Sequence, residues 1–226
     1  MNGLHVRPPI DERDVDENPV DEILSDETLR RILVGIGVVF AAAVVVVLFV
    51  TAARWATADD SVEPYGNADI GFLQDMIDHH QQALLIANTY LDANPGGDAA
   101  PYAREVVLFQ EREITRMDTW LTEAGMPRGQ PGRQAMTWMG MPTPIEQVPG
   151  MQHPTRITEL TGAAGPAADR LFFAIMSEHH LGGAHMADAA ASGARRTEIR
   201  EFAEKMSYNQ RVEVVEYEQA VERLGL

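Results

Sequence analysis

The sequence predicts an all-α protein: a four-helix bundle of two duplicated helical hairpins with a long crossover connection, preceded by one transmembrane helix. Apolar residues recur with helical spacing in four segments, and no useful stretch alternates with the period of a strand. One pattern also occurs twice, 100 positions apart, as expected of a doubled hairpin. The predicted organisation is an acidic tail (1–29), a transmembrane helix (30–54), a linker (55–65) and the bundle (66–226).

The N-terminal part predicts a membrane anchor. Residues 32–53 form an uncharged apolar run, long enough to cross a bilayer as a helix. Arg30 and Arg31 immediately precede this run, which favours a cytoplasmic N-terminus and an exported C-terminal part. The acidic, proline-containing tail is expected to be disordered. The alternative is a secreted protein, cleaved near Ala58, but the long apolar core and long leader favour an uncleaved anchor in the cytoplasmic membrane.

Composition excludes several classes of site and partner. The chain has no cysteine, so disulfides, zinc–thiolate sites and iron–sulfur clusters are excluded. The net charge of −16, without a basic stripe, argues against a nucleic-acid partner. The sequence indicates no particular protein partner.

Four long helices are expected in the exported part. They run from about residue 67 to 92, from 98 to 124, from 166 to 191, and from just after 193 to about 224. Glycine and proline residues mark the breaks between them. The connection between the hairpins, residues 125–165, is rich in Gly, Pro and Met, and short helical turns are expected to begin at Pro144 and Pro154.

The duplicated pattern carries the chemically distinctive residues. It reads Asp69-x2-Phe72-x3-Met76-x2-His79-His80 in the first half and Asp169-x2-Phe172-x3-Met176-x2-His179-His180 in the second, and Gln110-x2-Glu113 is answered by Gln210-x2-Glu213. A duplicated core needs matching apolar residues, but it does not need matching His, Gln and Glu. The repeat therefore makes a metal site the leading hypothesis.

Helical geometry predicts where these side chains point. Because a helix turns about 100° per residue, Met76 and His80 fall at the centre of an apolar stripe and His79 at its edge. The second copy repeats this placement, whereas His185 is expected to face solvent. The Gln and Glu residues lie within the apolar stripes of the second and fourth helices, where a carboxylate is costly unless it is paired or bound to metal.

The candidate metal ligands come from the repeat and from the crossover. They are His79, His80, His179, His180, Met76, Met176, Glu113, Glu213, Gln110 and Gln210, together with Met139, Met141 and Met151. Imidazole and thioether donors together favour copper, particularly Cu(I). The sequence leaves open whether the halves share one centre or form two.

Three alternatives remain open at this stage. His80 could pair with Glu113, and His180 with Glu213, as purely structural polar pairs, and the crossover methionines could simply pack over one end of the bundle. The protein could instead be a di-metal oxidase, but the Glu-x2-His signature of di-iron bundles is absent. A structural or signalling role without metal is the third. No catalytic residue is assigned.

The paired motifs resemble the bacterial "domain of unknown function 305" family. The segments Met139-Gly140-Met141-Pro142 and Pro149-Gly150-Met151 also fit it, and the resemblance covers about residues 65–224. It implies a ferritin-like four-helix bundle, exported or membrane-anchored, and for some members copper binding outside the cytoplasm. It also implies metal roles for the paired histidines, the preceding methionines and the two glutamates. The halves are not identical, since Tyr217 stands where the first half has Met117.

Overall fold

The structure is a computed structural model that describes residues 26–57, 63–130 and 132–226. The acidic tail predicted to be disordered, up to residue 25, and the cleavage site expected near Ala58 lie outside these ranges. The chain separates into two units between Ser61 and Val62.

The first unit contains one long helix, α1 (Asp26–Thr57). It is longer than the expected 30–54 at both ends, and acidic residues in its first turn, Asp26 and Glu27, suit the positive end of the helix dipole. Large apolar side chains along it are exposed, such as Val39 (69%) and Phe49 (73%). Among the described residues, its segment Asp26–Ala52 is the one helix long and apolar enough to cross a membrane.

The second unit is built on two helical hairpins. Its helices are α2 (Asn67–Ala93), α3 (Ala100–Glu123), α4 (Pro154–Gly162), α5 (Pro166–Gly193) and α6 (Thr197–Leu224). Helix α2 packs against α3, α5 packs against α6, and α2 and α5 pack together across the hairpins. The protein is therefore all-α, as predicted, and the four long helices lie close to the expected limits.

The crossover between α3 and α5 contains more structure than the sequence predicted. The turn expected at Pro154 is the nine-residue helix α4. Two two-residue strands, β1 (Gln134–Ala135) and β2 (Thr143–Pro144), pair antiparallel. A pairing of this length is too short to leave a strand period in the sequence.

Buried aspartates hold the crossover and the two hairpins in place. Asp69 of α2 accepts hydrogen bonds from the backbone N–H groups of Arg195 (2.9 Å) and Arg196 (3.1 Å), in the turn of the second hairpin. Asp169 of α5 accepts one from the Ala99 N–H (3.0 Å), in the turn of the first. Each hairpin thus binds the turn of the other, which explains why the aspartate belongs to the repeated motif.

The crossover is anchored on α2. The buried Asp75 carboxylate is paired with the guanidinium of Arg133 and accepts a hydrogen bond from the Trp138 indole (2.8 Å). The side-chain amide of Gln82 exchanges two hydrogen bonds with the backbone of Gln152, at 3.0 and 2.6 Å. These contacts fix the segment that covers the histidines.

The core consists of two apolar clusters. The first includes Phe72, Met76, Met117, Met186 and Met206, and the second includes Ala83, Tyr90, Phe172, Met176 and Tyr217. Along α2 the paired histidines fall between the first cluster and the second, and along α5 they fall between the second and the first. The histidines therefore form a polar layer between two apolar clusters.

Candidate metal centre

All four paired histidines are buried. His79 and His80 are 0% exposed, and His179 and His180 are 1% exposed. His79 and His179, predicted at the edge of a stripe, are as deeply buried as the central pair: their rings stack on each other, with centroids 3.8 Å apart and an interplanar angle of 28°. Because α2 contacts α3, α5 and the crossover, its buried arc is wider than a single stripe.

The stacked pair, His79 and His179, is held by backbone carbonyls of the crossover. The Nε2 of His79 lies 3.2 Å from the Pro149 oxygen, and the Nδ1 of His179 lies 3.2 Å from the Gly150 oxygen. A carbonyl only accepts hydrogen bonds, so these two ring nitrogens carry the protons. The other nitrogens, Nδ1 of His79 and Nε2 of His179, are then left with free lone pairs, and both are buried without a partner.

Burial keeps the stacked imidazoles neutral. Desolvation, followed by the positive charge that His80 can carry, lowers the pKa of His79 from 6.5 to about 3. Burial, followed by the proximity of His79, lowers the pKa of His179 well below 6.5. Neutral imidazole is the form that binds metal, so at neutral pH no proton competes for these nitrogens.

The carboxylate pairs, His80–Glu113 and His180–Glu213, lie within the hairpins. The Nε2 of His80 is 2.7 Å from Glu113 Oε2, and the Nε2 of His180 is 2.6 Å from Glu213 Oε2. The second contact lacks the alignment of a hydrogen bond, and His180 donates instead through Nδ1 to the Met176 carbonyl at 3.0 Å. The pairing anticipated as the structural alternative is therefore present in both halves.

The layer concentrates buried polar atoms that lack partners. Of the eight buried side-chain atoms without a hydrogen-bond partner among the described residues, six belong to the paired histidines and the repeated glutamines: His79 Nδ1, His80 Nδ1, His179 Nε2, His180 Nε2, Gln110 Oε1 and Gln210 Oε1. Of these, His180 Nε2 still contacts Glu213 Oε2 at 2.6 Å. Leaving a buried donor or acceptor unsatisfied costs about 1–3 kcal/mol. The buried polar atoms without hydrogen bonds are therefore concentrated around the paired histidines.

The described side chains do not form a preassembled metal site, whether of imidazoles or of carboxylates. No group of three or more His, Asp or Glu side chains in the described ranges is arranged to hold a metal ion. The imidazoles come in pairs, so further donors must be of another kind. The repeat also contains methionine thioethers and glutamine amides, which are the candidate additional donors.

Comparison with known proteins identifies the family. The model for "Domain of unknown function (DUF305)" matches residues 69–221, about two thirds of the chain. The chain belongs to this family. Among curated proteins, no sequence match is found.

Solved structures, two of them of DUF305 proteins, share the fold. A predicted secreted DUF305 protein from Streptomyces coelicolor is 28% identical, with a TM-score of 0.64, covering 70% of this chain and 94% of that one. A DUF305 fragment from Deinococcus radiodurans is 24% identical, with a TM-score of 0.61, covering 71% and 99%. CopM in its Cu(II)-bound form is 24% identical, with a TM-score of 0.50, covering 69% and 97%.

The packing around the histidine layer explains why position 183 of this DUF305 chain is a glycine. A Cβ on Gly183 would lie 2.4 Å from Gln210 Oε1 and 3.1 Å from His79 Cε1. The amide of Gln210 and the ring of His79 therefore meet at Gly183, and a larger residue would displace one of them. The corresponding position of the first half is Ala83, so the difference between the halves has a steric reason.

The methionines fall into different environments. Met76 and Met176 are fully buried, one in each apolar cluster. Met139 and Met151 of the crossover are partly buried against the first cluster, and Met141 is 45% exposed. Packing accounts for Met139 and Met151, and a ligand role for the three crossover methionines stays a prediction.

The glutamine and glutamate residues of the repeat line a cleft between α3 and α6. Gln110, Glu113, Gln210 and Glu213 all lie on its wall. Both glutamines are 3% exposed, whereas the side chains of Glu113 and Glu213 are 23% and 24% exposed. The predicted ligands are thus divided between an imidazole layer and an oxygen-lined cleft.

Proposed function

We propose that this DUF305 protein is a membrane-anchored, extracytoplasmic copper-binding protein that sequesters the ion through paired histidines and methionines. The observation that carries the proposal is the set of four buried imidazoles, three of which have a ring nitrogen with neither a hydrogen-bond partner nor an ion-pair partner. In a core that served only packing, each such atom would lower the stability of the fold, and no other interaction would offset the loss.

The chemistry of the donors favours copper. His79 and His179 would hold the ion with their unprotonated nitrogens, His80 and His180 would support it, and the thioethers of Met76 and Met176 flank the layer in sequence. Copper, particularly Cu(I), is a soft ion that binds both imidazole and thioether ligands. CopM, which shares the fold, has a Cu(II)-bound form, and this adds support.

Metal loading of the full-length protein in detergent tests the proposal. We expect stoichiometric copper after exposure to Cu(I) or Cu(II), and less retention of Zn(II) and Fe(II). The variant H79A/H179A should bind copper at least ~100-fold more weakly, since it loses two ligands. The matched control, H153A/H185A, removes two exposed histidines and should bind as the wild type does. If none of the four ions is retained stoichiometrically, the proposal fails.

The membrane location rests on α1. The exposed apolar helix and the preceding Arg30 and Arg31 support a single-pass anchor with the N-terminus inside and the ferritin-like bundle outside. We expect externally added protease to digest the second unit on intact spheroplasts. N-terminal sequencing of the membrane-bound protein should find the residues before Ala58, whereas cleavage there would make the protein secreted.

A structural role without metal is the second candidate, because the carboxylate pairs give His80 and His180 partners without any ion. Polar pairs of this kind can fix which helices associate. The same metal-loading experiment separates the two candidates, since a purely structural layer would retain no copper. An oxidase has less support, because Glu113 and Glu213 are followed at i+3 by Arg116 and Glu216 rather than by histidine.

A further inference from the structure

One segment of the crossover contacts both halves of the duplicated bundle. Each half has its own histidine pair, but residues 149–152, which we call the strap, occur once in the chain. The Pro149 carbonyl accepts a hydrogen bond from the Nε2 of His79 at 3.2 Å. The next carbonyl, that of Gly150, accepts one from the Nδ1 of His179, also at 3.2 Å. Two rings that the repeat makes equivalent are therefore held through different nitrogens.

Gln82 of α2 and its counterpart in the repeat, Gly182 of α5, fix the strap in different ways. The Gln82 amide exchanges two hydrogen bonds with the backbone of Gln152, at 3.0 and 2.6 Å. Gly182 leaves room for the strap, because a Cβ there would lie 2.1 Å from the Pro149 oxygen and 2.5 Å from the Gly150 nitrogen. The halves differ at this position because one helix binds the strap and the other lets it approach.

The orientation of the Gly150 carbonyl is also fixed within the strap. Gly150 has a φ of +85°, in the left-handed region that favours glycine. A Cβ on it would lie 2.6 Å from the backbone oxygen of His179. The side-chain amide of Gln152 donates a hydrogen bond to the Gly150 carbonyl at 2.9 Å, and the second lone pair of that oxygen serves the His179 ring. The acceptor for His179 is therefore in place in the metal-free fold.

We propose that the strap determines which nitrogen of each stacked histidine binds copper: Nδ1 of His79 and Nε2 of His179. A carbonyl only accepts hydrogen bonds, so each ring keeps its proton on the nitrogen that faces the strap. The lone pair stays on the other nitrogen, which in both rings is buried without a partner. The inference rests on the proposed function for the ion, whereas the tautomers belong to the metal-free protein. Gln82 and Gly182 are then positioning residues, which act on the rings through the strap.

Nitrogen NMR of the metal-free full-length protein in detergent, isotopically labelled at histidine, tests the effect of the strap. The chemical shift of a ring nitrogen reports whether it carries a proton, and the single variants H79L and H179L assign the signals. We expect one tautomer on each stacked ring, protonated at Nε2 of His79 and at Nδ1 of His179. Addition of Cu(I) should then shift the signals of the other two nitrogens most. Protons on the opposite nitrogens, or an even mixture of tautomers on either ring, would overturn the proposal.

Two variants test the positioning residues by the same spectrum. G182A displaces the strap and should give a mixture of tautomers and about tenfold weaker copper binding, whereas G193A, whose added Cβ meets nothing within 4 Å, should change neither. Q82A releases the strap without adding bulk and should act in the same direction, more weakly.

The matched control for Q82A is Q81A, which removes the exposed neighbouring amide and should leave the spectrum unchanged. Wild-type tautomers in whichever of G182A and Q82A folds, or mixed tautomers in a control, would contradict the role of the strap. Copper retention with other tautomers would contradict the strap inference alone, whereas the expected tautomers without copper retention would contradict the proposed function.

Discussion

The two histidines of each pair are neighbours in sequence but have opposite environments. His80 and His180 each face a glutamate on the partner helix of their own hairpin, at 2.7 and 2.6 Å. His79 and His179 face each other across the two hairpins, and backbone carbonyls are their hydrogen-bond acceptors. One histidine of each pair therefore makes a contact within its own hairpin, and the other makes a contact between the two hairpins.

This difference follows from helix geometry. Adjacent residues point about 100° apart, so a His-His dipeptide on α2 can address α3 with one ring and α5 with the other. In each carboxylate pair an imidazole contacts a glutamate. In the stacked pair two imidazoles contact each other, and no carboxylate among the described residues contacts either ring. On this comparison the carboxylate pairs stabilise the metal-free fold, and the stacked pair is the part that awaits a ligand.

The largest expected effect on stability comes from removing a carboxylate. E113A and E213A should each lower the free energy of unfolding by about 2 kcal/mol, because a buried imidazole loses its partner. The measurement is chemical unfolding of the metal-free protein, followed by circular dichroism. The exposed E111A is the control and should change stability little. If all three variants were equally stable, the carboxylate pairs would not stabilise the metal-free fold.

A smaller effect is expected where the stacked pair meets Gln210. G183A should destabilise the protein by about 1.5 kcal/mol, since the new methyl group would overlap the Gln210 amide and crowd the His79 ring. In G193A, on the same helix, the added Cβ meets nothing within 4 Å, so its thermal unfolding should match the wild type or improve on it. If G183A were as stable as G193A, the described packing around His79 would be wrong.

The smallest effect is expected from the stacked pair itself when no metal is present. H79L/H179L should lower the free energy of unfolding by only about 1 kcal/mol, because leucine fills the space of two incompletely satisfied imidazoles while the Pro149 and Gly150 carbonyls lose a hydrogen-bond donor. Unfolding of the metal-free proteins checks this. A loss of several kcal/mol would show that the stacked rings are needed for the fold without any ligand.

Much of the fold followed from local sequence. The limits of the four long helices depend on glycine, proline and apolar spacing, all of which are local, and the predictions agree closely with the structure. The sequence also indicated that His80 and His180 would point inward. These properties are decided within one helix, so periodicity is enough to reveal them.

The remaining features depend on contacts between distant segments. The burial of His79 could not be read from one helical stripe, because it requires α5 and the crossover carbonyl of Pro149. The roles of Asp69, Asp169 and Asp75 as acceptors for remote backbone and side-chain donors were also missed. The repetition of aspartate at equivalent positions, 69 and 169, was the one available signal.

The central claim is that copper binds at the imidazole layer. It is tested most directly by the X-ray absorption spectrum of the copper-loaded full-length protein, compared with that of H79A/H179A loaded in the same way. We expect scattering typical of imidazole ligands in the wild type and its loss in the variant. The same imidazole pattern in both proteins, or a wild-type spectrum with oxygen ligands only, would contradict the claim.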